Sequence, residues 1–249
     1  MASSDQPITE PTRAPELEAL FAGETVMAFF SRNLVHDAYL SPEESHFIEN
    51  AVPGRKAEFA TGRMCARASI HALGHEAHSI PVGEGRQPVW PDGVTAAITH
   101  TRRGGRQFVA AVAALNEGGQ LGVGIDAEVI QPLKDGVRDM LLVADEIEMV
   151  EQLPPGQRDE GAIRVFSAKE AFYKAQYALT SSWVGFGDMR LSSLDGSGEL
   201  LETAQLPALE PIVRPIRFRQ MVYEGLVVSA VTVRLRTTAS WGQPPVGRR

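Results

Sequence analysis

The chain has 249 residues, 43% of them hydrophobic, which is enough for one large domain or two smaller ones around a packed core. Its formal net charge of −7 argues against non-specific binding to nucleic acids. The single cysteine, Cys65, excludes an intrachain disulfide and fits a reducing compartment. No uncharged apolar run reaches the roughly 18 residues of a membrane span, and the N-terminus lacks the apolar segment of a secretory signal. We therefore expect a cytoplasmic protein.

Both ends of the chain are predicted to be flexible. Residues 1–15 carry three prolines and few apolar side chains, and residues 236–249 have the composition of a disordered tail. Between them, a helix with a Phe–polar–basic spacing of four and four occurs twice, each time followed by a Gly-containing loop and a hairpin. We therefore predict an α+β fold of two pseudo-symmetric halves, residues 16–122 and 123–235, with a ligand cleft between them.

The first half is predicted to contain one short and one long helix. The segment Ser41–Glu44 has the signature of a capping box with proline in the first turn. The long helix is expected over Arg55–Leu73. On it, Lys56, Arg63 and Arg67 line up along one face, at spacings of seven and four residues. The sequence therefore predicts a basic stripe on this helix.

The rest of the chain alternates strands with two further helices. TAAITH is predicted to be a short strand, and the turn residues 116–119 are expected to join the next two strands in a hairpin. Asp126 falls at the end of the second of these strands. Helices are expected from about 144 to 153 and from about 160 to 179, and a second hairpin is expected around Glu224–Gly225.

Three carboxylates and one lysine form the most specific pattern in the chain. Asp126 and Glu128 are two residues apart, which places both on one face of an extended segment. Glu170 and Lys174 are one helical turn apart and lie away from the apolar stripe of their helix. Oxygen ligands suit Mg²⁺, and a lysine beside it can neutralise phosphate charge. Taken alone, the glutamate–lysine pair is more often a helix-stabilising ion pair, and Asp-x-Glu at a strand end is more often a turn.

GVGIDAE and FSAKEAFYKA together resemble the two signature motifs of the Sfp/EntD-type 4′-phosphopantetheinyl transferases, roughly G-[IV]-D-x-E and [FW]-[SCT]-x-K-E-[AS]-x-x-K. Every fixed position of both motifs is present. GRKAEFATGRMCARASI, EGRQPVWPDG and ITH resemble further segments of the EntD-like subgroup. The resemblance implies two similar α+β halves with coenzyme A bound between them. It implies transfer of the phosphopantetheine arm of coenzyme A to a serine of an apo carrier protein, with release of adenosine 3′,5′-bisphosphate.

The resemblance also assigns site residues by position. It implies that Asp126, Glu128 and Glu170 hold Mg²⁺ and that Lys174 assists at the pyrophosphate. The other positions that match coenzyme A contacts of the family are Thr99, His100, Arg55, Arg63 and Arg86. Arg67 and the rest of the basic stripe suit the 3′-phosphate, because arginine forks match phosphate geometry.

Several functional alternatives remain open. Glu170 is hypothesised to accept the serine proton, directly or through a water, or else to be a metal ligand only. A coenzyme A-binding or carrier-binding module without activity would share the motifs, although decay would be expected to remove the metal and lysine positions first. A different Mg²⁺-dependent nucleotide phosphotransferase would normally bring a G-x-x-x-x-G-K-[ST] loop, which the sequence lacks. Segment 131–149 is the candidate docking edge for the carrier protein, and we expect a monomer because one chain supplies both halves.

Overall fold

Two long helices and two antiparallel sheets account for most of the fold. The computed structural model describes residues 10–35, 39–103, 106–134 and 136–236. Within these residues the α-helices are α1 Pro15–Glu18, α2 Pro42–Phe47, α3 Pro53–Ala72, α4 Val137–Leu141, α5 Ala144–Gln152 and α6 Arg158–Thr180. The strands are β1 Thr12–Arg13, β2 Val26–Ser31, β3 Val94–Arg103, β4 Arg106–Leu115, β5 Leu121–Val129, β6 Met189–Leu191, β7 Ser197–Glu202, β8 Ile216–Tyr223 and β9 Leu226–Arg234.

The chain folds as two α+β halves, as the sequence predicted. Sheet 1 has the strand order β1-β2-β4-β3, and sheet 2 has the order β5-β9-β8-β7-β6. All neighbouring strands run antiparallel. Every strand of sheet 1 precedes every strand of sheet 2 along the chain. The predicted boundary at residues 122 and 123 falls inside β5 and stays a prediction.

The two sheets pack face to face, with one long helix on each outer surface. In β4, Phe108, Ala110 and Val112 belong to the cluster between the sheets, whereas Val109 and Ala111 pack with α3. Helix α6 covers the outer face of sheet 2. Because β4 is buried on both faces, it has a nearly continuous apolar sequence instead of an alternating one. The result is four layers in the order α3, sheet 1, sheet 2, α6.

The predicted hairpin between β4 and β5 is wrong, although the turn exists. The amide of Gly119 donates to the carbonyl of Asn116 at 3.0 Å. The side chain of Asn116 accepts the amide of Leu121 at 2.8 Å, and β5 then leaves sheet 1 and pairs with β9. The hairpin partner of β4 is β3, in a register that sets Val94 opposite Leu115. The crossover lets the apolar residues of β5 cover the inner face of sheet 1 instead of extending that sheet.

The other predicted elements are confirmed with small shifts at their ends. The capping box of α2 forms, with the Glu44 amide donating to Ser41 Oγ at 3.2 Å and the Ser41 amide donating to Glu44 Oε2 at 2.7 Å. Helix α3 begins two residues earlier than predicted, at Pro53. The last hairpin turns at Glu224 and Gly225, whose φ angles of 50° and 81° are the left-handed values that such turns require.

Part of the predicted flexible leader is ordered. Thr12 and Arg13 pair with Phe30 and Phe29 of β2, and Ala14 is buried. A short sequence with prolines can still add an edge strand when a neighbouring strand offers free backbone groups. Residues 1–9 of the leader and 237–249 of the tail lie outside the described residues. In the part of the chain that is described, no helix has both the length and the apolar content needed to cross a bilayer.

Candidate active site

The candidate site lies where the edge of sheet 1 meets the edge of sheet 2. Strand β3 is the last strand of sheet 1 and β5 is the first of sheet 2. The Thr99 hydroxyl of β3 joins these edges, since it accepts the Ala127 amide at 2.9 Å and donates to Asp126 Oδ1 at 3.3 Å. Thr99 is buried, so these contacts are shielded from water. Thr99, predicted to contact coenzyme A, thus lies in this region, where its hydroxyl contacts the Asp126 carboxylate.

Two glycines of β5 let α6 lie directly against this edge. A Cβ placed on Gly124 would stand 1.8 Å from the carbonyl oxygen of Ala171, and one on Gly122 would stand 2.1 Å from that of Ala175. Only glycine permits so close an approach of helix backbone to strand. As a result, Lys174 of α6 reaches β5, and its Nζ donates to Asp126 Oδ1 at 2.7 Å and to the Ile125 carbonyl at 3.1 Å.

One carboxylate oxygen of Asp126 accepts hydrogen bonds and the other accepts none from the described residues. The residue is 3% exposed and lies in the middle of β5, not at its end as predicted. Oδ1 accepts from Lys174 and Thr99, whereas the buried Oδ2 has no hydrogen-bond partner among the described residues. A buried carboxylate oxygen without a partner is energetically unfavourable, and it often marks the place of an ion, a water or a ligand.

Glu170 stands one helical turn before Lys174 and faces the same region. Burial raises the pKa of the Glu170 carboxyl, the Lys174 ammonium lowers it, and the Asp126 carboxylate raises it, with a net increase. Glu170 also lines a cavity of about 160 Å³. The aromatic and aliphatic side chains in its wall include Phe172, Tyr173, Trp183, Val184, Phe186 and Met189. A carboxyl group therefore stands at the border between a charged groove and an apolar cavity.

The first half contributes a cationic cluster at the start of α3. Arg55 Nη1 donates to His100 Nε2 at 2.7 Å, so this ring nitrogen is an acceptor. The pKa of His100 is lowered, mainly by burial and next by the charge of Arg55, and the charge of Lys174 also lowers it. The carboxylates of Glu58 and Asp126 raise it, but they do not outweigh these effects. Glu58 Oε2 is 3.7 Å from His100 Nδ1. The structure thus brings the predicted Arg55 and His100 together, within electrostatic reach of the Asp126–Lys174 pair.

Arg63 and Arg67 were predicted to form part of a phosphate-binding stripe, but their guanidinium groups are bound to other protein groups. The Arg67 guanidinium donates to both carboxylate oxygens of Glu44, which is fully buried. Arg63 is 5% exposed, and its Nε donates to the Ile80 carbonyl at 3.3 Å. Burial lowers the pKa of Arg63 to about 10. Both arginines are therefore held by α2 and the loop after α3, and their hydrogen bonds are made inside the first half.

Arg86 lies on a loop that reaches across to the second half. The loop is closed by hydrogen bonds from the Arg86 amide to Gly83 and from the Gly83 amide to Gln87. A Cβ on Gly85 would stand 2.2 Å from Tyr177 Oη of α6, so the loop touches the helix that carries Lys174. Arg86 itself is exposed and has a φ of 65°. Its predicted contact with coenzyme A stays a prediction.

The three predicted metal ligands do not converge on one point. Among the described residues, no group of three or more His, Cys, Asp or Glu side chains lies close enough to hold a metal ion. At Asp126, the Lys174 ammonium occupies one side of the carboxylate. Asp126 Oδ2 and the neighbouring Glu170 still provide the all-oxygen donors that a hard cation prefers. Glu128, two residues further along β5, is half-buried.

Sequence reasoning missed two contributors to this region. Glu58 stands between Arg55 and Arg102, at 3.8 Å and 3.5 Å from their guanidinium nitrogens. The signal that could have found it is its spacing of three from Arg55 on the same helix. The apolar cavity was also missed, because its wall combines α6 with residues 183–189, which no periodic pattern connects.

A groove with cations and carboxylates from both halves has the groups that phosphoryl-transfer enzymes use to position and neutralise phosphates. The family model for the 4′-phosphopantetheinyl transferase N-terminal domain matches residues 43–114, and that for the 4′-phosphopantetheinyl transferase superfamily matches residues 122–220. These two matches correspond to the two halves of the fold.

Two of three similar proteins are named as 4′-phosphopantetheinyl transferases. 4′-Phosphopantetheinyl transferase Svp of Streptomyces mobaraensis is 39% identical over 202 residues, which cover 78% of each chain. 4′-Phosphopantetheinyl transferase PptT of Mycobacterium tuberculosis is 33% identical over 202 residues, covering 77% of this chain and 85% of that one. Enterobactin synthase component D of Salmonella typhimurium is 29% identical over 204 residues, covering 79% and 81%. The chain belongs to the 4′-phosphopantetheinyl transferase superfamily. It is a 4′-phosphopantetheinyl transferase, an enzyme that acts on coenzyme A and a carrier protein.

Proposed function

We propose that this enzyme transfers the 4′-phosphopantetheine arm of coenzyme A to a serine of an apo acyl, polyketide or peptidyl carrier protein. Adenosine 3′,5′-bisphosphate is released, and the reaction depends on Mg²⁺. The observation that supports this most directly is the carboxylate of Asp126. It is buried between the two halves, holds Lys174 on one oxygen and leaves the other oxygen without a partner.

Asp126 and Glu170 are the residues that would hold Mg²⁺. This ion commonly takes one or two carboxylates and completes its coordination with water and substrate phosphate oxygens, so a group of three carboxylates is not needed. When bound, it would supply neutralisation of the charge on the pyrophosphate. The unpartnered Oδ2 of Asp126 and the adjacent carboxyl of Glu170 fit that task. Participation of Glu128 as a third ligand remains a prediction.

Lys174, His100 and Arg55 would hold the phosphates. Lys174 lies beside Asp126 and is placed to neutralise the pyrophosphate, where the bond to the leaving group breaks. His100 accepts from Arg55 in its neutral form, and a neighbouring phosphate would favour its charged, donating form. Arg55 contacts His100 directly and suits the phosphates of the adenosine end. The three cationic side chains thus offer partners to the several phosphates of one substrate.

Glu170 is the proposed acceptor of the serine proton. The serine oxygen forms a bond to the β-phosphorus, the bond from that phosphorus to the bridging oxygen breaks, and the proton moves to Glu170. A raised pKa makes a carboxylate a stronger base, and burial has this effect on Glu170. Lys174 stabilises the charge that develops on the departing phosphate.

The apolar cavity beside Glu170 would hold the pantetheine arm. This arm is the least polar part of coenzyme A, and the wall residues Tyr173, Trp183 and Phe186 offer aromatic surface to it. Arg55, His100 and Lys174 stand on the other side of Glu170. One substrate can therefore place its phosphates in the groove and its arm in the cavity.

The surface around the cavity would receive the carrier protein. Trp183 is 76% exposed, and Met140 of α4 is 64% exposed in the segment 131–149. Large apolar side chains exposed at the edge of a site are typical of surfaces that bind another protein. We further propose that the enzyme is a cytoplasmic monomer, since one chain supplies both walls of the groove.

The direct test is arm transfer followed by mass spectrometry. The enzyme is incubated with coenzyme A, Mg²⁺ and apo carrier proteins of the fatty-acid, polyketide and peptide types. We expect at least one carrier to gain the mass of phosphopantetheine, and we expect chelation of Mg²⁺ to abolish the gain. Tight coenzyme A binding without a mass gain on any carrier would instead favour a binding module.

The role of Glu170 is tested by Glu170→Gln. If Glu170 accepts the proton, we expect kcat to fall about 100-fold or more at saturating Mg²⁺, because a general base contributes about that factor. The Kd for coenzyme A should stay close to that of the unaltered enzyme. Glu160→Gln is the matched control, since Glu160 lies on the same helix but pairs with Arg164 at 2.8 Å. Recovery of normal turnover by raising Mg²⁺ would show that Glu170 is a ligand only.

A further inference from the structure

A second lysine of α6, adjacent to Glu170, is buried in an ion pair far from water. The side chains of Lys169 and Glu146 are 2% and 0% exposed, and Lys169 Nζ lies 2.6 Å from Glu146 Oε2. Lys169 is one of the fixed positions of the second sequence motif, yet the mechanism above assigns it no task. A charge held so deeply requires full compensation by its neighbours.

Every hydrogen of the Lys169 ammonium is already committed. Besides Glu146, it donates to the carbonyl of Leu141 at 2.9 Å and to that of Phe186 at 2.8 Å. An ammonium has three donors, so none is left for a substrate phosphate. Lys169 therefore differs from Lys174, which is partly exposed and faces the groove.

Glu146 is equally committed on its own side. Its Oε1 accepts the Leu191 amide at 2.9 Å, and its Oε2 accepts the Val143 amide at 2.9 Å in addition to Lys169. Together the two side chains join four separate segments to α6: the end of α4, the start of α5, the turn at Phe186 and strand β6. One of these segments, residues 183–186, is the wall of the apolar cavity.

We infer that the Lys169–Glu146 ion pair positions the cavity wall for the pantetheine arm, an inference that rests on the proposed function. Lys169 holds the carbonyl of Phe186 while its neighbour Glu170 lines the same cavity, so the wall and the proposed base keep a fixed spacing. Both members of the pair are positioning residues that do not touch the substrate. Stability alone is a weak reason for such a pair, because well-packed apolar side chains of similar size often serve as well or better.

The test removes both charges at once. In Lys169→Met/Glu146→Gln no unpaired charge is left in the interior, and the glutamine oxygen keeps an acceptor for one of the two amides, Val143 or Leu191. We expect a folded protein whose Kd for coenzyme A rises about tenfold, the lower range for loss of residues that orient a binding site. The Kd for adenosine 3′,5′-bisphosphate, which lacks the arm, should stay within about twofold.

A second variant covers the case in which the double variant does not fold. Glu146→Gln alone keeps one acceptor oxygen and the lysine, and we expect the same selective loss in a weaker form. The control Arg214→Met/Glu202→Gln removes a more exposed ion pair, with side chains 33% and 19% exposed, and should leave both Kd values unchanged.

Two results would overturn the inference. The first is a folded double variant that binds coenzyme A as tightly as the unaltered enzyme does, which would mean that the pair is only structural. If the double variant does not fold, the same result from the single variant has the same meaning. An equal loss of affinity for coenzyme A and for adenosine 3′,5′-bisphosphate would mean that the pair serves the phosphates. Failure of the proposed function looks different, since the unaltered enzyme would then modify no carrier protein.

Discussion

At the scale of single residues, the burial of Asp126 determines how the site works. A carboxylate whose side chain is 5% exposed needs compensation for almost every lone pair. Lys174 and Thr99 provide it on Oδ1 only, and Oδ2 is left for whatever binds in the groove. Preorganisation of this kind is favourable for catalysis, because the charged groups are in place before the substrate arrives.

Thr99→Val tests the contact between the two sheets at this scale. Valine has the same shape but cannot accept the buried Ala127 amide or donate to Asp126. We expect a loss of unfolding free energy of about 1–3 kcal/mol. We also expect kcat/KM to fall about tenfold, since Asp126 loses one of its orienting partners. Denaturant titration and the carrier assay measure the two effects.

Thr99→Ser is the matched control for this substitution. Serine retains the hydroxyl, and it is the commoner residue at this position in the transferase family. The serine variant should stay close to the unaltered enzyme in both assays. A valine variant of normal stability and activity would show that the hydroxyl contacts are dispensable.

At the scale of elements, the approach of α6 to β5 brings the charged side chains together. Gly122 and Gly124 remove the side chains that would otherwise separate the helix from the strand. Lys174 can then reach Asp126 across the contact. The glycines of the first motif and the lysine of the second are therefore parts of one packing arrangement.

Gly124→Ala should disturb this contact. The added methyl would stand 1.8 Å from the Ala171 carbonyl, so helix and strand must move apart. We expect a loss of about 1–3 kcal/mol of unfolding free energy, the usual range for overpacking, together with a loss of arm transfer. The control is Gly118→Ala, where the added Cβ would have no atom within 4 Å. Equal behaviour of the two variants would contradict the proposed packing role.

Helices α2 and α3 are held together by the buried carboxylate of Glu44. Burial by itself raises the pKa of Glu44, but the amides of Ser41 and Ile80 and the guanidinium of Arg67 outweigh it, and the net pKa is lowered from 4.5. A carboxyl with a lowered pKa in the folded state stabilises the protein fully above its unfolded-state pKa. That stabilisation disappears as the pH falls through the folded-state pKa.

Glu44→Gln should therefore have a pH-dependent effect. At pH 7 we expect a loss of about 3 kcal/mol, because the substitution leaves Arg67 and the buried Arg63 without their counter-ion. The difference from the unaltered protein should shrink as the pH is lowered below 4.5, where the carboxyl becomes protonated. Urea titrations over this pH range measure it. Glu49→Gln, at an exposed position, should change stability by less than about 0.5 kcal/mol at any pH.

At the scale of the whole molecule, the apolar layer between the sheets joins the two halves. Phe108 of β4 is buried and stacks on Phe30 at a centroid distance of 5.6 Å. It also meets Tyr223 of the second half at 6.2 Å. Because the active groups come from both halves, this layer also maintains the distance between Arg55 and Lys174.

Phe108→Ala should destabilise both halves together. Truncation of a buried phenylalanine typically costs about 3–5 kcal/mol. We expect hydrogen exchange to show reduced protection in α3 and in α6 alike, since the layer is shared. Val222→Ala, at a position that is 45% exposed, is the control and should leave exchange unchanged. Loss of protection confined to sheet 1 would show that the halves are independent.

The sequence by itself determined the local elements and the chemistry of the site. Helix α6, the capping box of α2 and the last hairpin follow from periodicity and turn chemistry, which act over a few neighbouring residues. The two motifs predicted Asp126, Glu170 and Lys174 as site residues through their resemblance to the family, and the structure brings Lys174 into contact with Asp126.

Only the tertiary structure decided which residues became partners across long distances. Arg67 pairs with Glu44, 23 positions away, and β5 pairs with β9 instead of with β4. Lys174 meets Asp126 across 48 positions. The physical reason is that a buried charge takes the nearest group that can neutralise it. Which group is nearest depends on how the layers pack, and local spacing in the chain carries no information about that.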